Sequence, residues 1–370
     1  MLLIDLLIHD LTYCIVLALW TVGLVAALFG LLWLRRKHRA RRGKVAAIHA
    51  GLSLWMVLAF ATAAEATFAL FVDRSDTFDV TNISKRWFRR HLDAERSPPL
   101  GNRDSEPFTK FVTGGKKRIA FVGDSFTAGH GINNMADRFS DRIRSKLDAV
   151  KPGKFVVSNL AEPGWETSQI EAFIHKLLID GNDMSYVVYV YCMNDIEGFP
   201  MLSPSGELDW NTPIKKSLGQ IYTEAPSFFL WRDTYLYNWL YYRFLQARNP
   251  DSRSYFDALA ECYQTTQWDL LSKKITQLRN DCREKNVELR VALFPFLHQL
   301  GPENPLLDAH AKLAALCKEQ GIRVLDLEPV FREHASENLT VNAFDAHPNE
   351  RAHAIAAEAM ERSLLEDLIQ

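Results

Sequence analysis

Between Leu11 and Leu34 the chain carries no charged side chain. Wound into a helix at about 1.5 Å per residue, such a run is longer than a hydrocarbon core of about 30 Å. No basic segment precedes it, and charge rather than a small-residue cleavage site follows, so it reads as a membrane span and not as a secretory signal. A second apolar run extends from Val45 to about Phe71. Its one acid, Glu65, lies far enough along to sit near an interface, and His49 marks the opposite end. Residues 1–73 are therefore expected to form a two-span transmembrane hairpin.

The connecting loop, 35–44, is dense in Arg and Lys. In a short loop between two spans this is a topology signal, and the positive-inside rule places it in the cytoplasm. Both outer ends of the hairpin then face away from the cytoplasm, in agreement with an N-terminal segment that holds Asp5 and Asp10 but no Lys or Arg. A weaker basic group, Lys85, Arg86, Arg89 and Arg90, competes from the far side of the second span. The lipid bilayer is thus the first expected partner. Composition adds little: 48% hydrophobic residues and a net charge of −2 suit two spans plus a globular domain, and nothing points to nucleic acid.

Residues 74–115 form a connecting strap with a turn-rich stretch from Ser97 to Glu106. From Lys116 onward the pattern changes to alternating strands and amphipathic helices. Strands are expected at Ile119–Val122, Phe155–Asn159, Tyr186–Tyr191, Val287–Leu293 and Arg323–Leu327. Phe139, Ile143 and Leu147 mark one apolar helical stripe, and a last helix runs from about Glu350 to Leu368. This is the pattern of a three-layer α/β/α domain with a doubly wound parallel sheet, spanning 116–370. An aromatic-rich helical insertion, about 197–266, interrupts it. It is read as a helical pair packed on the core, with a lid, an acceptor platform or a membrane-facing role as the functional alternatives.

Four short blocks carry the chemistry. Gly123-Asp124-Ser125 follows the first strand and opens a glycine-spaced loop. Pro163-Gly164 follows the second strand and Asn194-Asp195 the third. Asp345-Ala346-His347-Pro348 precedes the last helix. A serine just beyond the carboxyl end of a buried parallel strand sits where open α/β sheets hold their ligands. As a nucleophile it needs a base to take its proton and donors for the oxyanion that forms.

In order and spacing these blocks resemble the SGNH (GDSL-type) hydrolase superfamily, and the resemblance runs from about Lys116 to the C-terminus. It implies Ser125 as nucleophile, His347 as general base and Asp345 as the third member of a triad. It assigns the oxyanion hole to the main-chain N–H of Ser125, the main-chain N–H of Gly164 and the side-chain amide of Asn194. No metal or other cofactor is implied. Two positions depart from the family pattern. Cys192 stands where a glycine is usual, and Phe344 occupies the position where the acid commonly lies, three before the histidine. Asp345 is only two before, so a Ser–His dyad assisted by a main-chain carbonyl stays open. Asp124 is read as fixing the turn, and His130 and His353 as surface or packing histidines. A Gly-x-Arg-Asp-type segment ending at Asp104 also resembles membrane-anchored relatives, with Arg103 tethering the strap.

The five cysteines show no metal-ligand spacing. Cys262 and Cys282 could meet only if the helical stretch between them breaks, and no structural disulfide is expected. The leading expectation is a membrane-anchored serine esterase removing O-acyl groups, above all O-acetyl, from an extracytoplasmic glycan or lipid-linked sugar. An O-acyltransferase using the same acyl-enzyme is the near alternative. From a different class comes a non-enzymatic scaffold working with polysaccharide-assembly proteins, against which the intact Ser125, Gly164, Asn194 and His347 weigh.

Overall fold

The computed structural model describes residues 2–39, 41–76, 80–196, 225–248 and 252–370. The expected insertion is therefore seen in part, its stretches 197–224 and 249–251 lying outside the described residues. The chain divides into two compact units.

The first unit contains a short helix α1 (Leu2–His9) and two long ones, α2 (Leu11–Lys37) and α3 (Arg42–Phe71). Both long helices have the length and apolar composition needed to cross a membrane. Their apolar side chains point outward, with Leu19 at 67% and Phe60 at 78% exposure, unlike the helices of a soluble core. Polar contacts between the pair include the Trp20 indole donating to Thr62 Oγ1 at 2.9 Å and the Trp55 indole to the Leu24 carbonyl at 2.7 Å.

Part of the aromatic insertion belongs to this unit. The helix Leu236–Arg248 packs on α3, where the sequence reading had it packed on the core of the α/β domain. Glu65 is the reason. Its carboxylate accepts the main-chain N–H of Tyr235 at 2.7 Å and of Leu236 at 2.8 Å, so it caps the first turn of that helix. The Tyr13 hydroxyl donates to the same carboxylate at 2.8 Å. Arg86 closes the other open end by donating to the Ala69 carbonyl at 2.6 Å and to that of Val72, satisfying the last turn of α3. Its guanidinium lies 4.4 Å from the Tyr235 ring centroid.

The second unit is the α/β domain. Its strap holds the two-residue strands β1 (Arg96–Ser97) and β2 (Asn102–Arg103), which pair antiparallel. The main sheet consists of β3 (Lys117–Gly123), β4 (Phe155–Asn159), β5 (Tyr186–Cys192), β6 (Glu288–Phe294) and β7 (Arg323–Asp326), all parallel, in the order β4-β3-β5-β6-β7. Every residue of β5 is buried, as expected for a strand covered on both faces. The helices α4 (Phe139–Val150), α5 (Thr167–Ile179), α6 (Thr266–Glu284), α7 (Leu307–Glu319) and α8 (Glu350–Ala359) supply the crossovers and the final turn of the fold. α4 packs with α8, and α5 packs with α6. The last helix is shorter than the sequence suggested: it gives way at Met360–Leu364 to a wider turn before Glu366–Ile369.

Two further strands, β8 (Thr340–Asn342) and β9 (Asp345–Pro348), form an antiparallel pair before α8. The stretch carrying Cys262 and Cys282 does break, between Cys262 and Thr266, yet all five cysteines are free and four are buried.

Candidate active site

The strand order reverses direction between β3 and β5, which opens a crevice at their carboxyl ends. Ser125 follows β3 and Asn194 follows β5, so the topology brings two of the four blocks to this crevice. Gly123 permits the turn: a Cβ there would lie 2.3 Å from Thr127 Oγ1 and 2.6 Å from the Val190 carbonyl oxygen. Asp124 then accepts the Phe126 N–H at 2.8 Å and starts the short helix Ser125–Ala128. Burial pushes the Asp124 carboxyl up, which suits its reading as a turn-fixing group.

Downstream, the chain curls back so that His130 N–H donates to the Ser125 carbonyl at 2.9 Å. Arg103 holds this loop from the strap, donating to the carbonyls of Gly129 and Ile132 at 2.7 Å each. Its neighbour Asp104 accepts the Asn159 N–H at 2.9 Å. One arginine and one aspartate thereby tie the strap to the loop after β3 and to the end of β4.

His347 reaches the serine from β9. Its Nε2 lies 2.9 Å from Ser125 Oγ, and its Nδ1 lies 2.6 Å from Asp345 Oδ1. The spacing of two between acid and histidine is explained by the strand: residues i and i+2 point to the same face. Asp345 Oδ1 also accepts the His347 N–H at 3.1 Å, and Oδ2 accepts the Ser75 hydroxyl. Burial pushes this carboxyl up, but His347, His130 and its hydrogen bonds outweigh that and hold it well below the usual carboxylate range.

The oxyanion candidates are placed as follows. The loop after β4 is laced to the end of β3 by the Glu162 N–H donating to the Gly123 carbonyl at 3.2 Å. Gly164 lies two residues on with φ of +80°, and a Cβ there would meet nothing. Its glycine is thus required by backbone conformation, not by crowding. The Asn194 amide hydrogen-bonds Asp124, next to Ser125, while its carbonyl oxygen has no partner among the described residues. Asp195 does structural work: it accepts from the Tyr189 hydroxyl at 3.1 Å and from the Cys192 N–H at 3.2 Å. Cys192 ends β5 fully buried, and burial pushes its thiol well up, so it behaves as a small apolar filler.

Sequence reasoning missed two contributors. Ser75 comes from the strap, far away in the chain, and no local signal marks it. His130 was read as a surface or packing histidine, and it is indeed a packing one, but against the site itself. Its ring stacks on His347 with centroids 3.9 Å apart and planes 4° from parallel. Trp87 stacks on its other face at 5.2 Å, and Phe88 packs edge-on at 4.8 Å. Burial, aided by His347, lowers its pKa to about 3. Its position only five residues after Ser125, between two glycines, was the available clue. His353 by contrast packs under Phe139, whose N–H it accepts at 3.2 Å.

Among the described residues, two groups have ligand-type side chains close together. In His130, Asp345 and His347 the ring nitrogens of His347 are already engaged by Ser125 and Asp345. In Glu171, His175 and Asp281, Lys274 lies on Glu171 at 2.7 Å and His175 on Asp281 at 2.8 Å. Neither offers a ready set of open donors.

The chain belongs to the GDSL-like lipase/acylhydrolase family, whose model matches residues 121–355, more than half of its length. It is accordingly a serine hydrolase of SGNH type. Among solved structures it is similar to TesA, at 14% identity over 68% of this chain and 99% of that one, with a TM-score of 0.42. It is also similar to a catalytic mutant of an acetylxylan esterase from Geobacillus stearothermophilus, at 13% identity over 69% and 96%, with a TM-score of 0.43. A member of the lipolytic G-D-S-L family from Veillonella parvula follows at 12% identity over 66% and 97%, with a TM-score of 0.37. Likeness at this level says nothing of substrate. No curated protein matches the chain.

Proposed function

We propose that this chain is a membrane-anchored esterase that removes O-acyl groups, O-acetyl foremost, from an extracytoplasmic glycan or lipid-linked sugar. The observation that carries the reaction type is the continuous hydrogen-bonded series from Asp345 through His347 to Ser125. In this reading Ser125 Oγ attacks the ester carbonyl while its proton passes to His347 Nε2. The carboxylate of Asp345 keeps Nδ1 protonated, so Nε2 is free to accept, and it stabilises the imidazolium that forms. The N–H groups of Ser125 and Gly164 and the amide of Asn194 receive the oxyanion. Collapse of the tetrahedral intermediate returns the proton to the leaving alkoxide and leaves acyl-Ser125. Water, activated by the same imidazole, then releases the acid. Transfer to a sugar hydroxyl would use the same acyl-enzyme and differ only in the second acceptor.

Location rests on the hairpin. The two candidate spans and the basic loop between them support an anchored enzyme whose α/β domain faces away from the cytoplasm.

Labelling of membranes with a serine-reactive fluorophosphonate tests the site. Wild type should label, and Ser125→Ala and His347→Ala should not. Equal labelling of Ser125→Ala would remove Ser125 as the nucleophile. Acetylated and lipid-linked oligosaccharides supplied to the purified full chain then separate released acetate from acetyl passed to an added acceptor. Protease accessibility of the α/β domain in intact cells and in inverted vesicles tests its side.

A further inference from the structure

The first unit carries an exposed aromatic cluster that the reaction does not use. Phe228, Phe229 and Trp231 are 47%, 60% and 44% exposed. They touch one another, with ring centroids 5.0 Å apart for Phe228–Phe229 and 5.5 Å for Phe228–Trp231. Trp231 also stacks on Tyr241 at 5.2 Å, which continues the cluster onto the helix Leu236–Arg248. On that helix Leu240 and Phe244 are exposed too, and the Arg248 guanidinium lies 4.1 Å from the Phe244 centroid.

The level of this segment along the hairpin can be read from its contacts. From Lys44, the last basic residue of the loop, to Glu65 the helical rise amounts to ~30 Å, one hydrocarbon thickness. Glu65 is the residue that caps Leu236–Arg248. Trp239 meets Phe68, slightly beyond Glu65, with centroids 5.6 Å apart. Tyr237 reaches the other way and donates to the Ala61 carbonyl at 3.1 Å, a turn inside Glu65. The aromatic segment is therefore fastened at the level of Glu65, about one hydrocarbon thickness from the basic loop. Trp, Tyr and Phe with Arg at the margins are the side chains that favour that layer of a bilayer. The helix α1 belongs to the same level: the Tyr235 hydroxyl donates to Asp10, directly after α1, at 2.7 Å. Leu6 is buried beside Ala69 and Tyr235, while its neighbours Ile4 and Ile8 are 62% and 67% exposed.

We infer that the segment Phe228–Arg248 is a membrane-interface element, whose aromatic cluster sits in the outer headgroup–acyl boundary of the bilayer that the hairpin crosses. Its ligand is the lipid surface itself. Its place in the chain, between β5 and β6, means that the α/β domain is held to the membrane by a second, non-covalent attachment besides the covalent link through 74–115. The inference rests on the hairpin spanning a bilayer, and the experiment separates the two.

The test uses the full chain in nanodiscs of phosphatidylcholine and phosphatidylglycerol. Phe229→Cys and Val57→Cys, the latter 63% exposed on α3, are each labelled with an environment-sensitive fluorophore. Lipids carrying a nitroxide at a shallow or a deep acyl position serve as quenchers, and aqueous iodide as the opposing one. The expected result is loss of fluorescence at position 229 with the shallow nitroxide, less with the deep one, and little with iodide. Position 57 should respond most to the deep nitroxide. Quenching of 229 by iodide and not by lipid overturns the proposal while position 57 keeps the hairpin in place. Protection of 229 from every quencher also overturns it, because protein then covers the cluster. Iodide quenching at 57 removes the membrane span and the proposal with it.

Discussion

Replacing Asp345 with Asn isolates the part that charge plays at the site. The side chain is completely buried, and the two residue types have nearly the same shape. Orientation of the new amide is set by what surrounds it. The main-chain N–H of His347 lies 3.1 Å from the Oδ1 position, so that position must remain an acceptor. The amide oxygen therefore stays toward His347, and Nδ1 keeps its proton. The NH2 group turns toward the Ser75 hydroxyl, which can accept as readily as it donated, and toward His130 Nε2, 3.6 Å from the Oδ2 position. Folding and tautomer survive, and only the negative charge is lost. For unit charges about 4 Å apart at an effective dielectric constant of about 20, that attraction is worth about 4 kcal/mol. If it acts mainly once His347 is an imidazolium, kcat should fall about a thousandfold with KM little changed. Hydrolysis of a p-nitrophenyl ester by the purified full chain, with circular dichroism to check folding, measures it. A loss of less than tenfold would refute the charge argument. A loss beyond about a hundred-thousandfold with the fold intact would show that the amide has flipped and blocked Nε2.

Three other outcomes follow from the same geometry. His130→Leu removes the ring stacked on His347 and should lower kcat by about tenfold with KM unchanged, whereas His130→Phe should recover most of it; equal rates for the two variants would deny the stack a role. Gly129→Ala should lower stability by roughly 2 kcal/mol or more in thermal unfolding, because its φ is +76° and a Cβ would lie 2.4 Å from Arg138 Cδ. His130 and His353 both have pKa values lowered to about 3 by burial, whereas in the unfolded chain they take up protons near 6.5. Between those values the unfolded state binds more protons, so stability should fall as pH falls, by up to about 1.4 kcal/mol per pH unit for each histidine. Melting curves of wild type and His353→Phe over that range read the slope, and an unchanged slope in the variant would remove His353 from the account.

Much of this molecule was legible in its sequence, because the features concerned are local or periodic. An uncharged apolar run favours a core or a bilayer, and the run from Leu11 does form a helix long and apolar enough to cross a membrane. Parallel strands covered on both faces carry short apolar runs, so the strands from Phe155 and Tyr186 announce themselves within a residue of their observed ends. The positions of Ser125 and Asn194 were legible because each lies two residues beyond a strand, and parallel topology delivers strand ends to one edge. Asp345 was named from the sequence as the acid for His347, but with a loop or a main-chain carbonyl still open, since spacing alone does not tell a loop from a strand. Only the observed β9, with its period of two, turns that spacing into a shared face.

Tertiary structure decided whatever depends on segments distant in the chain. Ser75 on Asp345, Trp87 behind His130, and Arg103 on the Gly129 and Ile132 carbonyls all come from the strap, whose sequence shows turns but no destination. Glu65 is the clearest case. From the sequence it is an acid near the end of a span; in the fold its carboxylate supplies the acceptor that the first turn of Leu236–Arg248 lacks. A helix terminus needs an acceptor for its free N–H groups, but nothing in its own sequence says where in the chain that acceptor will be found.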